Sequence, residues 1–140
     1  MTGVILDTNV ISEPKRPRPD PNVRAWFESQ DPESLFLTST VVAELALGIE
    51  RVPLGRRRSD FERWLGTIVG QTFMGRILAF DTEAALLYGR LVFQAGKVGW
   101  SPTVGDAQIA AVALREGMAV ATRDVHGFEP LGVEIINPWD

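Results

Sequence analysis

Four acidic side chains, Asp7, Glu44, Asp106 and Asp124, are the residues of this chain best placed to do chemistry. Asp7 follows the apolar run Gly3-Val4-Ile5-Leu6 and opens the turn-forming Asp7-Thr8-Asn9, so a buried strand carries it to its carboxyl end. Asp124 falls just past the run from Met118 to Ala121, after Thr122-Arg123. Asp106 lies on an apolar helix and shares a stripe with Ile109, Ala110, Ala113 and Leu114, so its side chain leaves from the core-facing side. Glu44 shares a helix face with Val41, Leu47 and Gly48. A buried carboxylate is costly unless it is paired, hydrogen-bonded or bound to metal. Several that converge make an electronegative, oxygen-lined pocket, which suits a hard cation such as Mg²⁺ or Mn²⁺. Zinc is a poor match, because the chain has no Cys and only one His, His126.

Each acid also has a purely structural reading. Asp7 in Asp-Thr-Asn is a good capping or Asx-turn residue, and Asp124 a good turn residue. Asp106 near a helix start favours the macrodipole, and Glu44 has Arg51 on its own helix as a partner. The coincidence of all four is what favours a site.

The elements that must position these acids alternate strand and helix. Strands are expected over residues 3–6, 35–38, 77–80, 118–121 and 133–136. Asp20-Pro21 starts a short amphipathic helix carrying Val23, Trp26 and Phe27. Ser39 or Thr40 caps a helix running to about Glu50, and Phe61, Trp64, Leu65 and Ile68 mark another from Leu54 to about Ile68. Asp81 caps a helix to about Gly96, and Ser101-Pro102 starts one that Gly117 ends. This rhythm implies a mostly parallel sheet of about five strands with helices on both faces, and ligands in such sheets bind beyond the carboxyl ends of the strands.

Composition narrows the classes. A length of 140 residues predicts a single domain over residues 1–140, and 45% hydrophobic with 23% charged residues is a globular balance. The apolar runs fall short of the ~20 residues a membrane span needs, and the N-terminus lacks a basic segment, so a cytoplasmic protein is expected. With 14 basic against 18 acidic residues the net charge is −4, which argues against a histone-like protein that binds nucleic acid through bulk charge but does not exclude a nuclease. Basic residues are nonetheless clustered, with Lys15, Arg16 and Arg18 in one group and Arg51, Arg56, Arg57 and Arg58 in another.

Ile5-Leu6-Asp7-Thr8-Asn9, Val42-Ala43-Glu44-Leu45, Gly105-Asp106-Ala107-Gln108-Ile109-Ala110-Ala111 and Ala121-Thr122-Arg123-Asp124 resemble, in that order, the four blocks of PIN-domain ribonucleases of the VapC toxin type. The likeness spans the whole chain. It implies a three-layer α/β/α sandwich, usually a homodimer, that hydrolyses RNA as the toxin of a toxin–antitoxin pair and is silenced by a cognate antitoxin. By the same resemblance Asp7 and Asp106 would be the primary ligands of one or two Mg²⁺ or Mn²⁺ ions. Glu44 would be a further ligand or the acceptor that orients the attacking water, Asp124 the fourth acid, and Thr8, Asn9 and Thr122 supporting donors. Many relatives carry Asn where Asp124 stands and a further Asp three residues later, where this chain has Gly127. The fourth carboxylate has then moved from one position to the other.

Arg16, Arg18, Arg56, Arg57 and Arg58 are candidates to meet the RNA backbone, and Trp100 to stack on a base. His126 is given no role. Two other readings are open: a non-catalytic module that binds RNA or protein, and a phosphoaspartyl enzyme with Asp7 as nucleophile. The latter calls for a second Asp where Asn9 stands.

Overall fold

The computed structural model describes residues 3–140. In chain order the elements are β1 (Val4–Leu6), α1 (Thr8–Ser12), α2 (Pro21–Ser29), β2 (Leu35–Thr38), α3 (Ser39–Glu50), α4 (Arg56–Thr67), β3 (Ile77–Leu78), α5 (Thr82–Lys97), α6 (Val104–Glu116), β4 (Ala119–Ala121), α7 (Val125–Phe128) and β5 (Ile135–Ile136). A π-helical stretch, Ile68–Thr72, extends α4. Among the described residues no helix is long and apolar enough to cross a membrane.

The five strands form one parallel sheet in the order β3-β2-β1-β4-β5. Right-handed crossovers then place the helices joining β1, β2 and β3 on one face and those joining β3 to β4 on the other. Buried on both sides, the central strands carry continuous apolar runs: Ile5, Leu6, Leu37, Val120 and Ala121 are fully shielded. Ala107, Ala110, Ala111 and Ala113 give α6 a buried surface of small side chains.

This order creates a switch point. From β1 the chain departs toward β2, whereas from β4 it departs toward β5 on the other side. Such a divergence leaves a crevice beyond the carboxyl ends of the two strands. β1 and β4 pair in register, Leu6 opposite Ala121, and the Asp7 amide donates to the Ala121 carbonyl at 2.9 Å. The residues after each strand therefore emerge side by side into that crevice.

Several expected boundaries move. Thr38, not Ser39 or Thr40, caps α3 by accepting from the Val41 amide, and Thr103, not Ser101, caps α6 by accepting from the Asp106 amide. Both capping residues have extended backbone dihedrals, as the position requires. β3 and β5 have two residues each, because they are edge strands with only one neighbour to define them. The expectations for Asp81 and Gly117 hold: Asp81 caps α5, and Gly117 ends α6 in the left-handed region at φ 67°.

Candidate active site

Asp7 leaves the end of β1 with 6% exposure. Its Oδ1 accepts from the Thr8 amide at 2.8 Å and caps α1. Its Oδ2 accepts from the Thr122 hydroxyl at 2.7 Å, and Asn9 Nδ2 lies 3.5 Å from the same oxygen. The Thr122 hydroxyl, fully buried, also accepts from the Asp124 amide at 2.9 Å. One threonine at the end of β4 thus fixes the Asp7 carboxylate and the backbone of Asp124 together. Asn9 has a second task, its Oδ1 accepting from the Arg123 amide at 3.3 Å.

Asp124 caps the short α7, its Oδ1 accepting from the Gly127 amide at 3.1 Å. Asp106 sits in the first turn of α6. The two carboxylates meet at Gly127: a Cβ there would lie 2.4 Å from Asp124 Oδ2 and 2.9 Å from Asp106 Oδ2. Glu44 arrives from α3 on the opposite side, its Oε1 accepting from the Thr8 hydroxyl at 3.0 Å, not from Arg51. Its Oε2 is 3.2 Å from where a Cβ on Gly105 would stand. α3 and α6 are held together beside this point by the Thr40 hydroxyl, which donates to Gln108 Oε1 at 2.9 Å.

The structural readings of Asp7 and Asp124 are therefore both true, since each caps a helix. Capping uses Oδ1 of each; Thr122 holds the Asp7 Oδ2, and the Asp124 Oδ2 stands beside the Asp106 Oδ2 at Gly127. Two details of the helix faces differ from expectation. Leu47 is 52% exposed and Glu44 is open to solvent on one side, so Val41, Leu45 and Ile49 form the buried face of α3 and Glu44 stands at the mouth of the crevice. Leu114 is likewise 39% exposed. The close approaches at Gly105 and Gly127 were invisible in the sequence, apart from the departure noted at position 127.

The electrostatics are one-sided. Desolvation raises the Asp7 carboxyl above its ordinary value, hydrogen bonds from Thr122 and Thr8 draw it back, and the Asp124 charge adds to the rise. Glu44 is raised by desolvation against the pull of the Thr8 hydroxyl, with Asp7 adding to it. Asp106 is pushed up to about 6, first by desolvation and then by the charges of Asp7 and Asp124. Among the described residues no three His, Cys, Asp or Glu side chains stand at the spacing of a formed metal site. The set nevertheless fits a hard divalent cation, being all oxygen, anionic and fixed by hydroxyl and amide donors.

The basic candidates separate by their contacts. Arg58 is held by Glu50 at 2.8 Å and by Glu62 at 3.9 Å and is only 17% exposed, so it serves the packing of α4 rather than a ligand. Arg16 lies 3.7 Å from the buried Glu13. Arg18, Arg56 and Arg57 remain exposed, and Arg57 stands over the Phe61 ring.

Comparison with known proteins identifies the family to which this fold belongs. The family model described as the PIN domain matches residues 4–130. The chain is 43% identical to the VapC ribonuclease Y4jK of Sinorhizobium fredii, over 98% of each chain. It is 38% identical to Toxin FitB of Neisseria gonorrhoeae over 97% of this chain and 98% of that protein. Among solved structures, a chain of FitAB bound to an IR36 DNA fragment superposes with a TM-score of 0.93 at 37% identity, covering 98% of this chain and 96% of that one.

Proposed function

Because this chain belongs to the PIN-domain family, we propose that it is a metal-dependent endoribonuclease and the toxin of a toxin–antitoxin pair, built as one domain over residues 1–140. The observation that carries the reading is the convergence of Asp7, Glu44, Asp106 and Asp124, from four separate elements, on one crevice where no basic side chain neutralises them.

Asp7 and Asp106 would hold Mg²⁺ or Mn²⁺, with Glu44 and Asp124 completing the donor set. When bound, the cation eases deprotonation of water at neutral pH and offsets the charge that builds on the phosphoryl group. The residues of the chain supply position. Thr122 and Thr8 hold the Asp7 and Glu44 carboxylates in fixed orientations, so neither has to reorganise during the reaction. Glu44, at the mouth and tethered by one oxygen only, is the acid with room to accept a hydrogen bond from an attacking water. The products would carry 5′-phosphate and 3′-hydroxyl ends. The test is cleavage of RNA by the purified chain with and without divalent metal.

The antitoxin would be a protein made alongside the chain, acting in the cytoplasm, and its reading frame is expected next to this one. A second copy of the chain would cover apolar side chains left open on and after α5, where Leu86, Phe93 and Val98 are 75%, 65% and 74% exposed.

An acid raised to about 6 has a consequence for stability. The folded chain binds this proton more tightly than the unfolded chain does, so Asp106 weakens folding as pH rises from about 4 through 6, and the penalty is complete above that. In EDTA at pH 7.5, Asp106→Asn is therefore expected to stabilise the fold by about 1–2 kcal/mol, a two-unit shift discounted for the partial exposure of the site. Thermal unfolding reads this as a midpoint a few degrees higher. The gap over the parent should shrink to about half at pH 5 and vanish below about pH 4, and it should also close when Mn²⁺ is added to the parent. A midpoint unchanged at pH 7.5 would mean that the acids do not repel one another as described.

A further inference from the structure

Resting on the nuclease reading, we propose that the groove between α1 and α4, walled by Phe61 and Trp64 and flanked by Lys15 and Arg57, is the subsite for the single-stranded RNA next to the scissile bond. The groove begins at the acids. A hollow of about 180 Å³ is lined by Thr8 and Ser12 of α1, by Glu44, Leu45, Gly48 and Ile49 of α3, and by Phe61 and Trp64 of α4. Phe61 is also a wall of a second hollow of about 370 Å³, which Lys15, Pro17 and Arg57 enclose. The two hollows share the Phe61 ring as a wall, so that one ring separates the side lined by Thr8 and Glu44 from the cations Lys15 and Arg57.

The chemistry changes across this ring in the order a nucleotide strand needs. Beside the acids the walls are apolar and aromatic, which suits a base whatever its identity. Beyond the ring, Lys15 Nζ and Arg57 Cζ stand 5.9 Å and 5.6 Å from the Phe61 centroid, on exposed side chains suited to a phosphate. Asp60 also lines this end, but its carboxylate is taken by Arg63. α4 adds to the positive field, for it starts at Arg56 and Arg57 with no acid in its first turn and no side chain capping its free amides.

Gly48 supplies an independent observation. It sits inside α3, where glycine costs about 1 kcal/mol relative to alanine, and a Cβ there would touch nothing within 4 Å. Packing does not demand a glycine at this position. Gly48 instead lines the hollow beside Glu44, where the lack of a side chain leaves room.

The experiment is binding of a fluorescein-labelled single-stranded RNA, followed by anisotropy in EDTA so that cleavage plays no part. Lys15→Ala/Arg57→Ala is expected to weaken binding about ten-fold and to reduce the salt dependence, the slope of log K against log salt falling by about 1.4 for two lost phosphate contacts. Gly48→Leu should weaken binding with the slope unchanged, while raising thermal stability. The control Arg24→Ala, which removes an exposed cation of α2 outside both the groove and the α5 surface, should bind as the parent does. Mn²⁺ affinity should be unchanged in every variant. Parental affinity and slope in folded Lys15→Ala/Arg57→Ala would overturn the subsite, as would loss of a protein partner with RNA binding intact. The nuclease reading fails separately: a parent that binds RNA through this groove and never cleaves it would keep the subsite and remove the enzyme.

Discussion

Asp7→Asn leaves the chain folded and lowers RNA cleavage by about a thousand-fold or more, because it removes the charge at the best-fixed point of the site. Asn has the shape of Asp, and its carbonyl oxygen can still accept from the Thr8 amide and cap α1. What changes is the side facing Thr122. There the carboxylate oxygen accepts from the threonine hydroxyl, and an amide nitrogen would present a donor instead. A cation held there would lose an anionic ligand at a position with 6% exposure, where water cannot stand in for it. Mn²⁺ titration should show the same loss as the rate measurement, while circular dichroism stays parental. Parental cleavage by Asp7→Asn would remove Asp7 from the mechanism.

Exchanging the acid between positions 124 and 127 is expected to give the second large effect. Gly127 is not among the glycines with positive φ, so an L-residue there meets no backbone strain and only a local collision. That collision is with Asp124 Oδ2 at 2.4 Å and Asp106 Oδ2 at 2.9 Å. Gly127→Asp alone should therefore expel the Asp124 carboxylate and crowd a further charge against Asp106, lowering cleavage by about a hundred-fold. Asp124→Asn alone loses the fourth acid while keeping a side chain that caps α7. The double variant Asp124→Asn/Gly127→Asp should recover at least ten-fold over either single change, with Mn²⁺ affinity recovering in step, because the two positions compete for one space. Losses that simply add would show that the space between these residues is not shared.

The sequence held more of the site than of its boundaries. Acids at the ends of apolar runs are legible because a strand of a parallel sheet ends where its apolar run ends, and the register of β1 against β4 then brings Asp7 and Asp124 together. Helix ends were legible where one residue decides them, as at Asp81, which starts α5, and Gly117, which stops α6. Caps at Thr38 and Thr103 were not, since neighbouring Ser39, Thr40 and Ser101 offer the same hydroxyl and only the backbone dihedral selects among them. α1 and α7, of five and four residues, are too short for a periodic pattern, and both look like turns because their caps are the site acids themselves. The solvent-facing placement of Leu47 and Leu114 shows a further limit of periodicity: it groups residues by face but does not say how far a neighbouring element covers that face. Thr40 with Gln108, and the close approaches at Gly105 and Gly127, join residues distant in sequence and have no local signature.

The central claim is that these four carboxylates gather divalent metal in order to hydrolyse RNA. Its most direct test is incubation of total cellular RNA with the purified chain in Mg²⁺ or Mn²⁺, against EDTA and Asp7→Asn, with capture of new 5′-phosphate ends. The account predicts discrete new ends that need the metal and vanish in the variant. Ends that persist in EDTA or with Asp7→Asn, or no ends from a folded protein shown to bind Mn²⁺, would contradict it.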